Sequence, residues 1–171
     1  MSDEYHIEVD LHQLNRHGQV VCGDVFHSKQ IRAEGRSILV LSDGIGHGVK
    51  ANVLATLTAS MALNYTSFHT KPEVAANIFM RALPKSLDGK ESYATFTIIE
   101  IEEDALVRII NYDNPRSVIF RRGQIFEPKE FQIPIRGEEN AGKILRIREF
   151  TPMLEDRIIF MTDGVNQSGL G

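Results

Sequence analysis

Three aspartates in this sequence stand where strands are expected to end. Asp43 closes Ser37-Ile38-Leu39-Val40-Leu41-Ser42-Asp43-Gly44, and Asp163 closes the matched segment Arg157-Ile158-Ile159-Phe160-Met161-Thr162-Asp163-Gly164. Asp24 follows a glycine within Val21-Cys22-Gly23-Asp24-Val25-Phe26. A rigid buried strand fixes where a carboxylate at its end points. A following glycine lets the chain turn sharply and leaves its own carbonyl accessible, and a glycine inside a strand marks a bulge or a close backbone approach. If the three carboxylates converge, their repulsion calls for a counter-charge, and oxygen-only ligands suit Mg²⁺ or Mn²⁺ better than zinc or copper. No HExxH or paired CxxC pattern offers an alternative zinc site. Two such ions about 3.5–4 Å apart can activate a water and clamp a phosphate for in-line attack. The competing reading is that Asp-Gly is a common turn pair with no chemistry attached.

Positioning these carboxylates requires strands, and the chain reads as three zones. Strands are expected over 5–11, 20–26 and 37–42, the last carrying a continuous apolar run suited to burial on both faces. Two helices follow. The first, over 49–63, repeats Val49, Val53, Leu57 and Met61 at i+4, with Ala51, Ala55 and Ala59 on an adjacent row small enough to lie close to a sheet. The second starts near Thr70, where Thr70 and Glu73 have capping-box spacing and Pro72 fits the first turn. Val74, Ala75, Ile78, Phe79, Ala82 and Leu83 make its apolar stripe, and Pro84 stops it. Strands resume over 92–102, 106–112, 117–121, 124–126 and 157–162, with a hairpin turn at Arg122-Gly123 and a polar loop over 136–142. Strands, two helices, then strands again imply an α+β fold with antiparallel sheets rather than a doubly wound parallel sheet.

Composition narrows the function. The 171 residues suit one domain with an ordinary globular balance, and the net charge of −4 argues against a broad nucleic-acid footprint. Cys22 is the single cysteine, so no internal disulfide forms. The N-terminus is acidic and polar, unlike a secretory signal, and no apolar run approaches the roughly 20 residues that span a bilayer. A cytoplasmic protein that engages neither membrane nor nucleic acid is expected.

Beyond these physical readings, Val21-Cys22-Gly23-Asp24-Val25-Phe26, then Leu41-Ser42-Asp43-Gly44-Ile45-Gly46-His47-Gly48 opening a helix, then Met161-Thr162-Asp163-Gly164-Val165 resemble the ordered motifs of SpoIIE-like serine phosphatases. These belong to the wider metal-dependent, type-2C (PPM) protein phosphatase superfamily. Asn111-Tyr112-Asp113-Asn114-Pro115 and the hairpin after it resemble the family's mid-domain pattern. The resemblance implies two antiparallel β-sheets sandwiched between helical layers. It implies that Asp43 bridges two Mn²⁺ or Mg²⁺ ions, that the Gly44 carbonyl ligates one, that Asp24 supports the first and that Asp163 binds the second. It also implies hydrolysis of phosphoserine or phosphothreonine by a metal-activated water, without a phosphoenzyme, on a phosphorylated regulatory protein of the anti-sigma-factor antagonist type. The family domain normally continues to further helices and a closing Asp-Asp strand. Residues 1–171 are therefore expected to be a single phosphatase-like domain lacking its C-terminal portion, with an incomplete second metal site and strand edges open to association.

Other residues carry weaker signals. His47, between two glycines at a helix start, either braces the turn through a backbone hydrogen bond or touches phosphate or a metal-bound water. Gly44, Gly46 and Gly48 either receive an anion at that helix N-terminus or only permit close packing. Arg121 and Arg122 read as a solvated turn in preference to a phosphate contact, and Arg146 and Arg148 could line an exposed strand face. Cys22, Met61 and Met80 read as core, and the other histidines lack ligand spacing. Two rival functions stand beside the phosphatase. A nucleotide-binding fold is disfavoured, because the glycines follow Asp43 at +1, +3 and +5, outside both the GxGxxG and the DxGxG frames. The other rival is a phosphatase-like scaffold in a bacterial signalling pathway that binds a regulatory protein with little or no catalysis.

Overall fold

The computed structural model describes residues 6–15, 17–18, 20–68, 94–102, 106–136 and 141–167, together with Lys71, Val74, Ala75, Ile78 and Arg81. The elements run β1 (Asp24–Ile31), a 3-10 turn (Arg32–Glu34), β2 (Arg36–Gly44), α1 (Gly48–Ser67), β3 (Ala94–Ile101), β4 (Val107–Tyr112), β5 (Val118–Arg121), β6 (Gln124–Ile125), β7 (Glu130–Pro134), β8 (Ile144–Phe150) and β9 (Arg157–Ile159), before a short helix Asp163–Gln167. One sheet has the order β1-β2-β3-β4-β8-β7 and a smaller one the order β6-β5-β9. Every ladder is antiparallel, so the expected α+β architecture of two antiparallel sheets stands.

Period-two alternation builds two apolar layers from the central strands. Ile38, Val40, Phe96, Ile98, Ile110 and Tyr112 face α1 and pack with Ala59 and Ala62. Leu39, Ile99, Val107 and Ile109 face the smaller sheet and pack with Ile119 and Phe150. The run Ile38-Leu39-Val40 is therefore buried on both sides, as its composition predicted. At the far end of α1, the buried Arg36 guanidinium donates to the Thr66 carbonyl over 2.8 Å and pairs with the buried Glu100. That contact fixes the C-terminal turn of the helix to the sheet.

Several expectations change. No strand forms among residues 6–11, and β1 begins at Asp24 rather than at 20. The alternation of Ile7, Val9 and Leu11 finds no ladder partner, and Val9 and Leu11 remain about half exposed, at 49% and 50%. On α1 the alanine row lies against the sheet, as its small size predicts, but of the valine row only Met61 packs, partly buried, against the core. Val49, Val53 and Leu57 are exposed, whereas Ala51, Ala55 and Ala59 are buried with Leu54, Thr58 and Ala62. Small side chains let the helix axis approach the sheet, so the alanine face wins the contact although the valine face is more hydrophobic. The strands β7 and β8 were hidden in the sequence by their charges. Arg148 is buried, not on an exposed face, with Nη2 donating to the Ser117 carbonyl and hydroxyl at 2.9 and 2.6 Å. Val74, Ala75, Ile78 and Arg81 are helical and Ala75 joins the core, while Thr70, Pro72, Glu73, Phe79, Met80 and residues 82–84 lie outside the described residues. So do residues 137–140 of the expected 136–142 loop.

Candidate functional site

Asp24 is the first residue of β1 and Asp43 the penultimate residue of β2. The ladder pairs them directly, and it pairs Asp43 on its other side with Thr95 of β3. Register partners on neighbouring strands project to the same face, with Cβ atoms about 4.5–5.5 Å apart. Asp24, Asp43 and Thr95 thus form one row across the end of the larger sheet. Asp163 joins from the segment after β9 as the first residue of the short helix. Immediately before it, the buried Thr162 donates its hydroxyl hydrogen to Asp24 Oδ2 over 2.9 Å. Ser42, the matching hydroxyl before Asp43, donates instead to the Thr95 carbonyl over 2.9 Å. The two hydroxyl-Asp-Gly segments therefore use their hydroxyls differently, one on a site carboxylate and one on the neighbouring strand.

The glycines have a packing cause. A Cβ on Gly44 would stand 1.9 Å from the Ala51 carbonyl oxygen, which no side chain can do. Gly23, whose carbonyl accepts from the Gly44 amide over 3.3 Å, would bring a Cβ within 3.3 Å of the Ala51 side chain. Gly23 and Gly44 together make room for α1 at the end of the strands that carry Asp24 and Asp43. Gly164 has open space around it, so the resemblance between the two Asp-Gly pairs does not extend to packing. Gly46 and Gly48 adopt left-handed φ values of 104° and 67°. His47 between them is the exposed N-cap residue of α1 and makes no side-chain capping bond, so the turn-bracing role expected of it is not observed.

The electrostatics single out Asp43. Burial raises its pKa, and the charges of Asp24 and Asp163, with hydrogen bonds that protonated Asp43 donates to their carboxylates, raise it further, from 3.8 to about 7. All three site aspartates therefore act on one another, with Asp43 at the centre. Among the described residues no group of three or more His, Cys, Asp or Glu side chains is already placed so that it could hold a metal ion. The donor chemistry of Asp24, Asp43 and Asp163 nevertheless suits a hard divalent cation: all three are carboxylates, with repulsion at Asp43 that a positive ion would relieve.

The remaining sequence candidates separate. Arg121 is a structural residue: Nε and Nη2 grip Asp156 at 3.0 and 2.7 Å, and its guanidinium stacks 3.9 Å above the Phe126 ring. Arg122 occupies the hairpin turn with φ 52°, followed by Gly123 at 77°, as a turn of two left-handed residues requires. Cys22 is only half-buried, its thiol 3.7 Å from the Leu14 carbonyl, rather than core. Sequence reasoning missed Thr95 and Asn114. Asn114 is buried, bonds the Thr95 hydroxyl through Oδ1, and donates from Nδ2 to Thr97 Oγ1 over 3.1 Å. Only the strand register reveals that this pair adjoins Asp43.

Comparison with known proteins agrees with this geometry. Residues 33–169 match the family model for stage II sporulation protein E. The chain is 28% identical over 170 residues to the phosphoserine phosphatase RsbX of Bacillus subtilis (strain 168), covering 97% of this chain and 78% of that protein. It is similar to the crystal structure of RsbX in complex with magnesium, with a TM-score of 0.67 and 25% identity, over 91% of this chain and 73% of that one. The PP2C phosphatase domain of the Bacillus subtilis cell fate determinant SpoIIE, solved with a fragment of its regulatory domain, matches with a TM-score of 0.71 and 22% identity. That match takes in 90% of this chain, which spans 44% of the SpoIIE chain.

Proposed function

This chain belongs to the SpoIIE family of PP2C-type serine/threonine phosphatases, and we propose that it hydrolyses phosphoserine or phosphothreonine on a regulatory protein at the Asp24–Asp43–Asp163 cluster. The observation that carries the reading is the convergence of Asp24 and Asp163 on Asp43, whose burial, together with those two carboxylates, raises its pKa to about 7. Asp24, Asp43, Asp163 and the Gly44 carbonyl would hold Mn²⁺ or Mg²⁺, which when bound supplies an activated water and a clamp for phosphate oxygens. Within the cluster, Asp43 takes the central position. Asp24 is aimed by the Thr162 hydroxyl, and Asp163, the next residue, acts on Asp43 through its charge and a hydrogen bond. In this reading water is the nucleophile and no phosphoenzyme forms, because the carboxylates are engaged with the cation.

RsbX is a phosphoserine phosphatase by name and has been crystallised with magnesium. That supports the same reaction class and cation type here. We read residues 1–171 as one phosphatase-like domain that works in the cytoplasm; among the described residues no helix is long and apolar enough to cross a membrane. A phosphorylated anti-sigma-factor antagonist is the partner type proposed. The test is a Mn²⁺ and Mg²⁺ titration followed by thermal unfolding of the parent chain and Asp43→Asn, then hydrolysis of a phosphoserine peptide. A cation present at about a hundredfold over its dissociation constant should stabilise the parent by about 2.7 kcal/mol and leave the variant unmoved. Binding without turnover would favour the scaffold reading. An identical response of parent and variant would remove Asp43 from the metal site.

A further inference from the structure

Asp43 has two immediate neighbours in its row. Asp24 lies on one side and Thr95 on the other. Thr95 is held twice: its carbonyl accepts from Ser42, the residue before Asp43, over 2.9 Å, and its hydroxyl is bonded to Asn114 Oδ1. The Asn114 amide is 6% exposed and joins Thr95 to Thr97, to whose hydroxyl oxygen Asn111 also donates, over 3.2 Å. Asn111 separately secures the β4–β5 connection by donating to the Pro115 carbonyl over 3.2 Å. The connection therefore has its own fastening, and the Asn114 contact to Thr95 adds something else. It fixes the direction of a hydroxyl beside the central carboxylate.

We infer that Thr95 is a further member of the site and that Asn114 is a positioning residue acting through it. Thr95 places a neutral hydroxyl dipole against Asp43 on the flank that carries no carboxylate, and Asn114 sets which way that dipole points. A buried amide can impose such an orientation because leaving its polar atoms unpaired is costly. The role rests on the proposed reading of the site for its use in catalysis, whereas the coupling between Thr95 and Asp43 that it requires can be read without any cation.

The experiment is a double-mutant cycle on the full chain, read by urea unfolding with chelator present, on the parent, Thr95→Val, Asp43→Asn and the double variant. Coupled neighbours depart from additivity, so the two effects on the unfolding equilibrium constant should fail to multiply by about threefold or more. Thr95→Ser, which keeps the hydroxyl, should restore the parent coupling. Asn114→Ala should abolish the coupling, beyond the stability it costs through its bond to Thr97, whereas Asn111→Ala should lower stability yet leave the coupling intact. Effects that multiply to within about twofold, or equal effects of Asn111→Ala and Asn114→Ala on the coupling, would overturn the inference. A parent chain indifferent to Mn²⁺ would overturn the metal reading and leave this cycle to decide on Thr95 by itself.

Discussion

Asp24 and Asp43 face each other as register partners across the β1–β2 ladder. Like charges so placed destabilise a sheet, and the folded chain responds by holding a proton on Asp43 up to about pH 7. The folded-state pKa lies above the unfolded value of 3.8, so the folded protein binds the extra proton. Its contribution to stability is full below the unfolded pKa and is lost as pH rises through about 7. With chelator present, parent stability should fall by on the order of 1–2 kcal/mol more than that of Asp43→Asn between about pH 5 and about pH 8, allowing for screening at a half-exposed site. Urea unfolding across that range checks it, and parallel pH profiles for the two chains would contradict it.

Removing the Thr162 hydroxyl leaves Asp24 Oδ2 without its donor. Thr162→Val keeps the shape of a buried side chain and should cost about 1 kcal/mol. Mn²⁺ affinity should fall with it, because Asp24 is no longer aimed, and Thr162→Ser should preserve both. Chemical denaturation and a Mn²⁺ titration of the three chains provide the comparison.

Gly44→Ala sets a methyl group against the Ala51 carbonyl. The helix must move, and a loss of about 2–4 kcal/mol is expected, with weakened cation binding because Asp43 is adjacent. Gly164→Ala meets nothing and should stay within about 0.5 kcal/mol. Comparable losses at the two glycines, measured by thermal unfolding, would refute the packing account.

Arg121 and Asp156 form a bidentate pair with side chains 17% and 5% exposed. Burial pulls the Asp156 carboxyl upward, but the Arg121 hydrogen bonds, the Met153 amide and the Arg121 charge outweigh it and hold the group below its usual range. Its stabilisation is therefore present above the unfolded pKa of 3.8 and is lost as pH falls through the depressed folded value. Arg121→Met should cost roughly 1–3 kcal/mol at neutral pH. It should leave the Michaelis constant for p-nitrophenyl phosphate within about twofold, since a structural arginine makes no substrate contact. A large rise in that constant at unchanged stability would return Arg121 to the substrate.

The exposed row of α1 gives the mirror case. Val53→Gln and Leu57→Gln should each change stability by no more than about 0.5 kcal/mol. Ala55→Leu on the buried row should cost about 1–3 kcal/mol through overpacking. The reverse order, read from unfolding midpoints, would return the valine row to the core.

What could be read from the sequence followed the strength of each local signal. The apolar run at Ile38-Leu39-Val40 and the Arg122-Gly123 turn announce themselves through burial on two faces and turn geometry. The order of the three aspartates, each beside an apolar run and a glycine, points to a common site, although Asp163 opens a short helix after β9 and does not end the strand itself. The strand β8 was obscured because Arg146 and Arg148 interrupt its apolar residues, and only tertiary contact shows that Arg148 is satisfied by Ser117. On α1 the alanine row shows its fit to the sheet through size, as the approach of Ala51 to Gly44 confirms, whereas hydrophobicity alone suggests a burial that Val49, Val53 and Leu57 do not have. Thr95 and Asn114 were invisible for a different reason. Their place in the site is a matter of which strands lie side by side, and no periodicity encodes that.

The hydrogen bond from Thr162 to Asp24 joins residues 138 positions apart, which bears on how the protein is made. β1 and β2 are joined by a short turn and pair directly, and such local contacts form early. β9 must instead close onto β5 across a long intervening chain before Thr162 and Asp163 can arrive, and ordering that loop makes the step slow. On a ribosome, Asp24 and Asp43 would face each other while the codon for Asp163 was still unread. Acquisition of cation binding would then wait until β9 and the segment after it have been made and docked. A nascent chain arrested before β9 should gain no protection from Mn²⁺ in a proteolysis assay, whereas the released chain should gain it in a single late phase.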